Sequence, residues 1–373
     1  MKPSSVANLL LLSVVLIFIE GASYVAGRAL QKRTVFYNPP SISTYERYVE
    51  ERHDVLGWPS KTELRTRRDS TGSRPIPAFP EPGNACVSLY GDSFTWSDNV
   101  DDEHAWSNVL SKKLQCRVAN YAVAGFGGDQ AFMRFQLNED DEAPVAVLNL
   151  FTGDIRRHVN QLRNLISRDE YFLLKPRFLL TEDRLTFVPL PKPDRKVAES
   201  LAAHPERHLL HEYFVPGGPA GIKRLEFPFS LSLLGGFGNE HVKAKLSNEP
   251  VWKRFFDADH PSGSLQLTIA IFKEFTALAK ARGKSSVITV IPNAHDVQYF
   301  QQSGVWSYAG LEEAAPAAGL EILFMGPPML KRLGSKDICE IAQRGNCYGH
   351  FREEGYALLA EVLEAYLREK RLV

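Results

Sequence analysis

Apolar runs alternate with amphipathic stretches along most of the chain. The runs at 144–151 and 286–291 are almost uninterrupted, as expected for strands buried on both faces of a sheet. Stretches such as 265–281 and 351–370 instead repeat apolar residues every three or four positions, which predicts helices. This alternation predicts an α/β fold, a three-layer sandwich with a mostly parallel five-stranded sheet between layers of helices. The predicted strands lie at residues 86–90, 117–123, 144–151, 286–291 and 320–325.

Two regions interrupt this pattern. Residues 34–80 are rich in Pro, Arg, Ser and Thr without sustained periodicity, which indicates a stalk or a segment wrapped around the main domain. The sheet domain is predicted over 81–373 and carries a long insertion at about 166–262. Within the insertion, the apolar residues at 178–180 and 185–188 flank a polar turn and predict a β-hairpin. The rest of the insertion contains clusters of Gly and Pro and is predicted to be loop-rich.

The first 33 residues have the composition of a membrane anchor or a signal segment. The run from Leu9 to Ile19 is broken only by Ser13, and eleven such residues suit a signal peptide, whereas about 20 are needed to span a bilayer. Counting from residue 6 to residue 27 gives enough length if Glu20 lies near the membrane edge. Because no small-x-small cleavage site stands out, the sequence favours an uncleaved anchor, with a cleaved secretory peptide as the alternative.

Charge and composition exclude several classes of protein. The 44 Lys and Arg residues balance 44 Asp and Glu residues, so binding of nucleic acid by electrostatic capture is not expected. A hydrophobic content of 44% with ordinary Gly and Pro excludes a mainly disordered chain. A globular enzyme or binding domain remains.

The four cysteines indicate in which cellular compartment the main domain lies. They fall into two local pairs, Cys86 with Cys116 and Cys339 with Cys347, and an even count in an exported domain indicates two disulfides. The alternative is four buried thiols. Three basic residues after the apolar segment against one before it predict the opposite orientation, with the main domain in the cytoplasm. We favour an extracytoplasmic, membrane-anchored domain, periplasmic or at the cell surface.

Two glycine-containing motifs follow predicted strands. Gly91-Asp92-Ser93 stands at the carboxyl end of the first strand, the edge of a parallel sheet at which ligands bind. Gly125 and Gly127 lie between the second strand and a helix, where glycine can offer backbone N–H groups to an oxyanion. Their spacing does not match a dinucleotide-binding fingerprint, so no nicotinamide cofactor is expected.

His350 is the candidate general base. It follows Gly349 at the start of the last predicted helix, whose apolar stripe would hold the imidazole rigidly at the edge of a site. Ser93 and His350 would then form a nucleophile and its base. Asp92, Gly127 and His295, the last of which follows the fourth strand, are candidate pocket residues.

These three blocks together resemble the SGNH, or GDSL, hydrolase superfamily. The resemblance implies that Ser93 is the nucleophile, that Gly125 and Ser93 contribute oxyanion-hole amides, and that His350 is the catalytic histidine. It also implies a serine esterase that needs no metal or other cofactor. Its substrate would be an O-acyl ester of an envelope carbohydrate or lipid, with acetyl as the expected acyl group.

The sequence departs from the family pattern at two positions. Where the family carries an oxyanion-hole Asn, this chain has Gly153 or Asp154, depending on register, and an ionised Asp154 would repel an oxyanion unless it is protonated or turned away. Asn160 or Arg156 is a possible substitute. Cys347 stands three residues before His350, where the family has an Asp. The histidine would then be oriented by Asp337 or Glu340, by a backbone carbonyl, or by the loop that a Cys339–Cys347 disulfide stiffens.

Three hypotheses therefore stay open. The chain is an esterase, an O-acyltransferase that uses the same dyad, or a non-catalytic glycan-binding relative that keeps the fold. The acidic run from Asp98 to His104 resembles a metal cluster, but an acidic loop before a helix is the commoner meaning, and no metal is predicted. No nucleic-acid partner is expected.

Overall fold

The computed structural model describes residues 3–60, 67–167, 171–343, 347 and 349–373. The chain forms two compact units. The first unit comprises Met1–Tyr48, Asn160–Leu173 and Lys192–Val251, and the second comprises Val49–Val159, Leu174–Pro191 and Trp252–Val373.

Nine strands lie in the described part of the chain, five of them in one sheet. The strands are β1 (Arg52–His53), β2 (Gly57–Ser60), β3 (Ala85–Tyr90), β4 (Arg117–Asn120), β5 (Val145–Phe151), β6 (Arg177–Thr181), β7 (Arg184–Val188), β8 (Ser285–Ile291) and β9 (Ile322–Phe324). The large sheet has the order β4-β3-β5-β8-β9, and all its neighbours pair in parallel. The five-stranded α/β sheet predicted from the sequence is confirmed, although β4 and β9 are shorter than predicted.

The strand order determines which face each helix covers. The chain leaves β3 in one direction across the sheet to reach β4, and then crosses back to β5 and continues to β8 and β9. Because crossovers between parallel strands are right-handed, the helix after β3 and the helix after β4 lie on opposite faces. The helix Trp106–Leu114 accordingly packs with Glu353–Glu369, whereas Gly128–Leu137 packs with Ser264–Ala281. These two pairs are the outer layers of the sandwich.

The α-helices are more numerous than the sequence pattern suggests. They span Pro3–Gln31, Tyr45–Glu51, Ser93–Trp96, Trp106–Leu114, Gly128–Leu137, Ile155–His158, Arg195–Ala203, Phe229–Gly236, Glu240–Leu246, Ser264–Ala281, Ala294–Ser303, Ala309–Ala317, Gly326–Leu333, Ile338–Ile341 and Glu353–Glu369. The predicted hairpin at 178–188 forms as β6 and β7. Most of the rest of the insertion is irregular, as expected, but three helices that the sequence pattern did not predict form between residues 195 and 246.

Capping side chains explain how these insertion helices begin among Gly and Pro. Asp194 accepts the N–H of Val197 at 2.8 Å, and Asn239 accepts that of His241, also at 2.8 Å. The Asn239 amide also donates to the carbonyl of Val35 at 2.9 Å, which joins the insertion to the start of the chain within the first unit. Each cap satisfies an N–H group that the first helical turn leaves unpaired.

A buried glutamate organises another part of the first unit. Glu212 accepts backbone N–H groups from Gln161 and Leu162 and the amide of Asn160 at 2.5–3.0 Å. Asn160, proposed from the sequence as a substitute oxyanion donor, therefore uses its side chain to hold this turn.

Both cysteine pairs have their sulfur atoms at bonding distance. Cys86 and Cys116 lie at the amino ends of β3 and β4, with their Cα atoms 6.0 Å apart. Cys339 and Cys347, with Cα atoms 4.8 Å apart, instead join the helix Ile338–Ile341 to the segment before His350. One disulfide therefore lies at the edge of the sheet opposite the carboxyl ends, and the other adjoins the candidate base.

Candidate active site

Ser93 begins a short helix directly after β3. Gly91 is required at this turn because a Cβ there would collide with the Thr95 side chain and lie 3.2 Å from the Cβ of Asn149. Asp92 caps the helix, its carboxylate accepting the N–H of Phe94 at 2.9 Å. The turn therefore fixes the Ser93 hydroxyl at the carboxyl edge of the sheet, where the side chain is 7% exposed.

This position is the topological switch point of the sheet. The connection after β3 covers one face of the sheet, and the connection after β5 covers the other. Because these two connections leave the sheet in opposite directions, a crevice lies between the ends of the two strands. Phe94 lies shortly after β3, and Phe151 is the last residue of β5. Their rings stack with the centroids 4.3 Å apart. The stacked pair is buried directly beside Ser93.

The structure brings Ser93 and His350 together although they are 257 residues apart. His350 Nε2 lies 2.8 Å from Ser93 Oγ, and the imidazole ring packs against Phe94 with centroids 4.9 Å apart. The backbone N–H of Gln343 donates to the carbonyl of His350 at 3.0 Å, which joins the histidine to the strand-like bridge between Ala342 and Phe351. The hydroxyl and the imidazole therefore have the separation that proton transfer requires.

The residue at the other imidazole nitrogen was not predicted. Asn99 Nδ2 lies 3.1 Å from His350 Nδ1, in a loop where Asn99 has a positive φ of 73° that asparagine tolerates. Asp337 and Glu340, the carboxylates considered from the sequence, form a capping box on their own helix instead. Asp98 Oδ2 lies 4.0 Å from His350 Nε2. Burial raises the pKa of Asp98, and the nearby imidazole partly opposes this shift.

Arg74 holds the loop that carries Asp98 and Asn99. This fully buried guanidinium pairs with Asp102 at 2.7 Å and donates to the carbonyls of Trp96, Ser97 and Val100. It comes from the segment that the sequence predicted as a stalk or wrapping. The acidic run is thus explained by ion pairs, since Asp101 also contacts His104 at 2.7 Å and Glu103 contacts Lys112 at 3.0 Å.

Asp154 is buried beside a cation. Its Oδ1 lies 2.6 Å from Arg157 Nη1, and the same nitrogen is 3.5 Å from Asp92 Oδ2 and donates to the Phe126 carbonyl at 2.6 Å. Burial raises the pKa of Asp92, whereas the Arg157 charge lowers it. A Cβ on the neighbouring Gly153 would lie 2.5 Å from the Phe151 ring, so an asparagine does not fit there without movement.

The glycine loop after β4 lies next to the turn that carries Ser93. The N–H of Val123 donates to the Gly91 carbonyl at 3.1 Å, and Gly125, with a φ of 81°, comes two residues later. Asn120 donates to the Thr95 carbonyl at 2.8 Å, which binds the loop to the helix of Ser93. The Gly127 N–H lies 3.4 Å from the Gln130 side chain, so this glycine begins the following helix.

His295 and Trp252 lie along the same edge of the sheet. The ring of Trp252 is 5.6 Å from that of Phe151 and 6.1 Å from that of His295. Trp252 donates at 2.7 Å to the buried carboxylate of Asp296, which also accepts from Thr152 at 2.6 Å. Burial raises the pKa of Asp296. This carboxylate ties the loop after β5 to the helix after β8, a role that sequence reasoning did not assign.

Solved structures similar to this chain include proteins of the family that the motifs resemble. A G-D-S-L family protein from Desulfitobacterium hafniense aligns over 75% of this chain and 97% of its own, with 12% identity and a TM-score of 0.37. The esterase EstA from Pseudoalteromonas sp. aligns over 76% and 97%, with 10% identity and a TM-score of 0.34. The acetyl xylan esterase Est2A from Butyrivibrio proteoclasticus aligns over 78% and 65%, with 11% identity and a TM-score of 0.31.

No family model and no curated protein matches the sequence. The parallel strand order and the two helical layers define the fold class by themselves.

Proposed function

We propose that this protein is a serine esterase of the SGNH type that acts on O-acyl esters of an envelope carbohydrate or lipid. The observation that carries the proposal is the 2.8 Å contact between Ser93 Oγ and His350 Nε2 at the carboxyl edge of the sheet. Ser93 Oγ attacks the ester carbonyl carbon while His350 Nε2 takes the hydroxyl proton. The backbone amides of Ser93 and Gly125 stabilise the oxyanion.

The remaining steps, loss of the alcohol and then hydrolysis of the acyl-serine, use the same imidazole. His350 returns its proton to the leaving alkoxide as the tetrahedral intermediate collapses to an acyl-serine. It then takes a proton from the water that attacks the acyl carbon, and it returns that proton to Ser93 Oγ as the bond between Oγ and the acyl carbon breaks and the acid leaves. The Asp98 carboxylate, 4.0 Å from Nε2, stabilises the positive imidazolium in both steps.

The two departures from the family pattern fit this mechanism. Pairing with Arg157 compensates the charge of Asp154 beside the oxyanion site. Asn99 occupies the place of the missing carboxylate at His350 Nδ1, and a half-turn of its amide puts the Oδ1 acceptor there. Both arrangements support a working dyad without the family's asparagine and aspartate.

A fluorophosphonate probe tests the proposal, because it phosphonylates only an activated serine. We expect one modified residue, Ser93, with labelling lost in Ser93→Ala and His350→Ala and retained in the surface variant Ser303→Ala. Hydrolysis of p-nitrophenyl acetate should fall by about 10⁴-fold in Ser93→Ala. Wild-type protein that neither reacts with the probe nor hydrolyses the ester would overturn the proposal. Acyl delivery to an added glycan that exceeds hydrolysis would favour a transferase instead.

We also propose that the domain is membrane-anchored and extracytoplasmic. The support is one helix, Ala7–Gln31, long and apolar enough to cross a bilayer, together with the two cysteine pairs. Protease added to intact spheroplasts should degrade the domain, and trapping of thiols in whole cells should find all four cysteines oxidised. A protected domain with reduced cysteines would place it in the cytoplasm.

A further inference from the structure

The first unit exposes a second apolar surface beside the N-terminal helix. The stretch from Phe227 to Gly238 contains no charged residue and includes the helix Phe229–Gly236. Four of its six large apolar side chains are 58–74% exposed, namely those of Phe227, Leu231, Leu234 and Phe237. We call these four residues the insertion patch. Soluble proteins rarely leave such a cluster in contact with water, so it marks an interaction surface.

The insertion patch is continuous with the N-terminal helix. Glu20 accepts the backbone N–H of Phe229 at 2.5 Å, and the rings of Tyr24 and Phe229 lie 5.0 Å apart. Gly27 lies against Leu225, which occupies the space that a Cβ would need. Positions 20, 24 and 27 share one helix face, and small residues at such contacts let two segments approach closely inside a membrane.

Helix length shows how deep this contact lies. The exposed stretch from Leu9 to Ile19 has eleven residues, or about 16 Å at 1.5 Å per residue. The hydrocarbon core is about 30 Å thick, so about nine further residues must enter it if the helix spans the bilayer. If residues 6–8 supply about three of them, about six follow Ile19 and reach Val25, so Glu20 and Tyr24 lie within the core and Gly27 lies at its edge. The insertion patch is therefore carried to the level of the acyl chains.

The polar groups at this contact are satisfied as a membrane requires. Glu20 would be costly in hydrocarbon, but the N–H groups of Phe229 and Ser230 and the Ser230 hydroxyl donate to it. These N–H groups belong to the first turn of the helix Phe229–Gly236 and have no partner within that helix. The Glu20 carboxylate and the N–H groups at the start of this helix therefore offset the cost of removing each other from water.

Basic side chains lie where lipid headgroups would be. Lys223 and Arg224 line a groove of about 480 Å³ together with Phe227 and Leu231 of the insertion patch. Arg28, Lys32 and Arg33 follow the apolar part of the N-terminal helix. This order of apolar and then basic residues is typical of segments that bind at the surface of an anionic bilayer.

We propose that the insertion patch inserts into the same lipid leaflet as the end of the N-terminal helix, so that the protein holds the membrane at two places. The inference does not depend on esterase activity. It further implies that the N-terminal helix is retained in the mature protein, because its removal would uncover Leu225 and Phe229 and leave the N-terminus of their helix without Glu20.

Photolabelling of the wild-type, full-length protein tests this directly. The protein is reconstituted in vesicles of phosphatidylcholine and phosphatidylglycerol that contain a lipid with a diazirine in its acyl chain. After irradiation, adducts should map to residues 227–237 as well as to the N-terminal helix. Adducts confined to the N-terminal helix, or a mature chain that begins after residue 27, would overturn the proposal.

A tryptophan pair provides a matched second measurement. Leu234→Trp lies in the insertion patch, whereas Val197→Trp lies on an exposed helix of the same unit, beside Arg195 and its ion pair with Glu199. Lipids brominated in the acyl chain should quench the added fluorescence at position 234 several-fold more strongly than at position 197. Equal quenching at the two positions would contradict insertion, and the photolabelling decides the question if either variant fails to fold.

Discussion

The tautomer of His350, that is, which of its ring nitrogens carries the hydrogen, depends on the atom that faces Nδ1. To take the Ser93 proton, Nε2 must be unprotonated, so Nδ1 must carry the hydrogen and needs an acceptor. The amide of Asn99 presents Nδ2 there at 3.1 Å, and a half-turn about its last torsion exchanges Nδ2 with the Oδ1 acceptor at almost unchanged shape. The asparagine can therefore hold either tautomer, and its oxygen-in orientation is the productive one.

Substitution of Asn99 should show whether this residue positions His350 without contributing to substrate binding. Asn99→Ala removes the acceptor and should lower kcat by about 10- to 100-fold with little change in KM. Asn99→Asp supplies a permanent acceptor and should restore most of kcat. The control is Asp101→Ala, which removes an exposed ion pair with His104 in the same loop. Equal kcat in Asn99→Ala and wild type would show that His350 needs no partner at Nδ1.

Arg157 should be needed mainly because two buried carboxylates surround it. Arg157→Gln leaves Asp92 and Asp154 without a cation and should cost about 3 kcal/mol of stability. The double variant Arg157→Gln/Asp154→Asn removes one of the two charges and should recover at least half of that loss. Melting temperatures of the three proteins check this. A double variant no more stable than the single variant would mean that Arg157 stabilises the fold by other contacts.

At the scale of elements, both disulfides should stabilise the fold, the first more than the second, and only the second should also affect activity. The loops they close span 30 and 8 residues, so loss of Cys86–Cys116 should cost about 3 to 4 kcal/mol and loss of Cys339–Cys347 about 2 to 3 kcal/mol. Cys339–Cys347 adjoins His350, whereas Cys86–Cys116 lies at the amino end of the strands.

Double Cys→Ser variants of each pair test this ranking. Cys339→Ser/Cys347→Ser should lower kcat about tenfold, because a mobile His350 loses its alignment with Ser93. Cys86→Ser/Cys116→Ser should melt at a lower temperature but keep kcat at folded temperatures. If both variants keep kcat, the disulfide beside His350 serves stability alone.

Strands buried on both faces and the hairpin of the insertion could be predicted from the sequence, whereas the helices of the insertion could not. The runs at 144–151 and 286–291 are almost entirely apolar because helices cover both sides, and their fully buried polar residues, Asn149 and Thr289, hydrogen-bond to each other at 2.6 Å. The helix Phe229–Gly236 has no polar face, since its exposed side is apolar too, and its closing glycines resemble a loop. Periodicity cannot reveal such a helix because there is no contrast between its faces.

Contacts between distant parts of the chain limited the prediction of the site. Ser93 and His350 could be named because each follows or precedes a regular element with a recognisable motif. Asn99 and Arg74 could not, because an asparagine in an acidic loop and an arginine in a Pro-rich segment have no local signature. Their roles arise only when folding places the 96–102 loop between the guanidinium and the imidazole.

At the scale of the whole molecule, one buried histidine should make stability depend on pH. His158 is fully buried, and its Nδ1 lies 2.8 Å from Thr268 Oγ1, between two helices of the same layer. Burial lowers the pKa of His158 to about 4, although the Asp129 carboxylate partly opposes this shift. In the unfolded chain the His158 imidazole therefore binds a proton near pH 6.5, whereas in the folded protein it does so only near pH 4.

The sign follows directly from that difference. As the pH falls below 6.5, the unfolded state gains a proton and the folded state does not, so stability should drop by about 2 kcal/mol between pH 7 and pH 5. His158→Gln can keep a hydrogen bond to Thr268 but cannot be protonated, so its melting temperature should fall less over this range. Thermal melts of both proteins in detergent at pH 7, 6 and 5 measure the difference, and contributions from the buried Asp92 and Asp296 cancel in the comparison. Parallel curves for the two proteins would show that His158 is not the group that couples folding to pH.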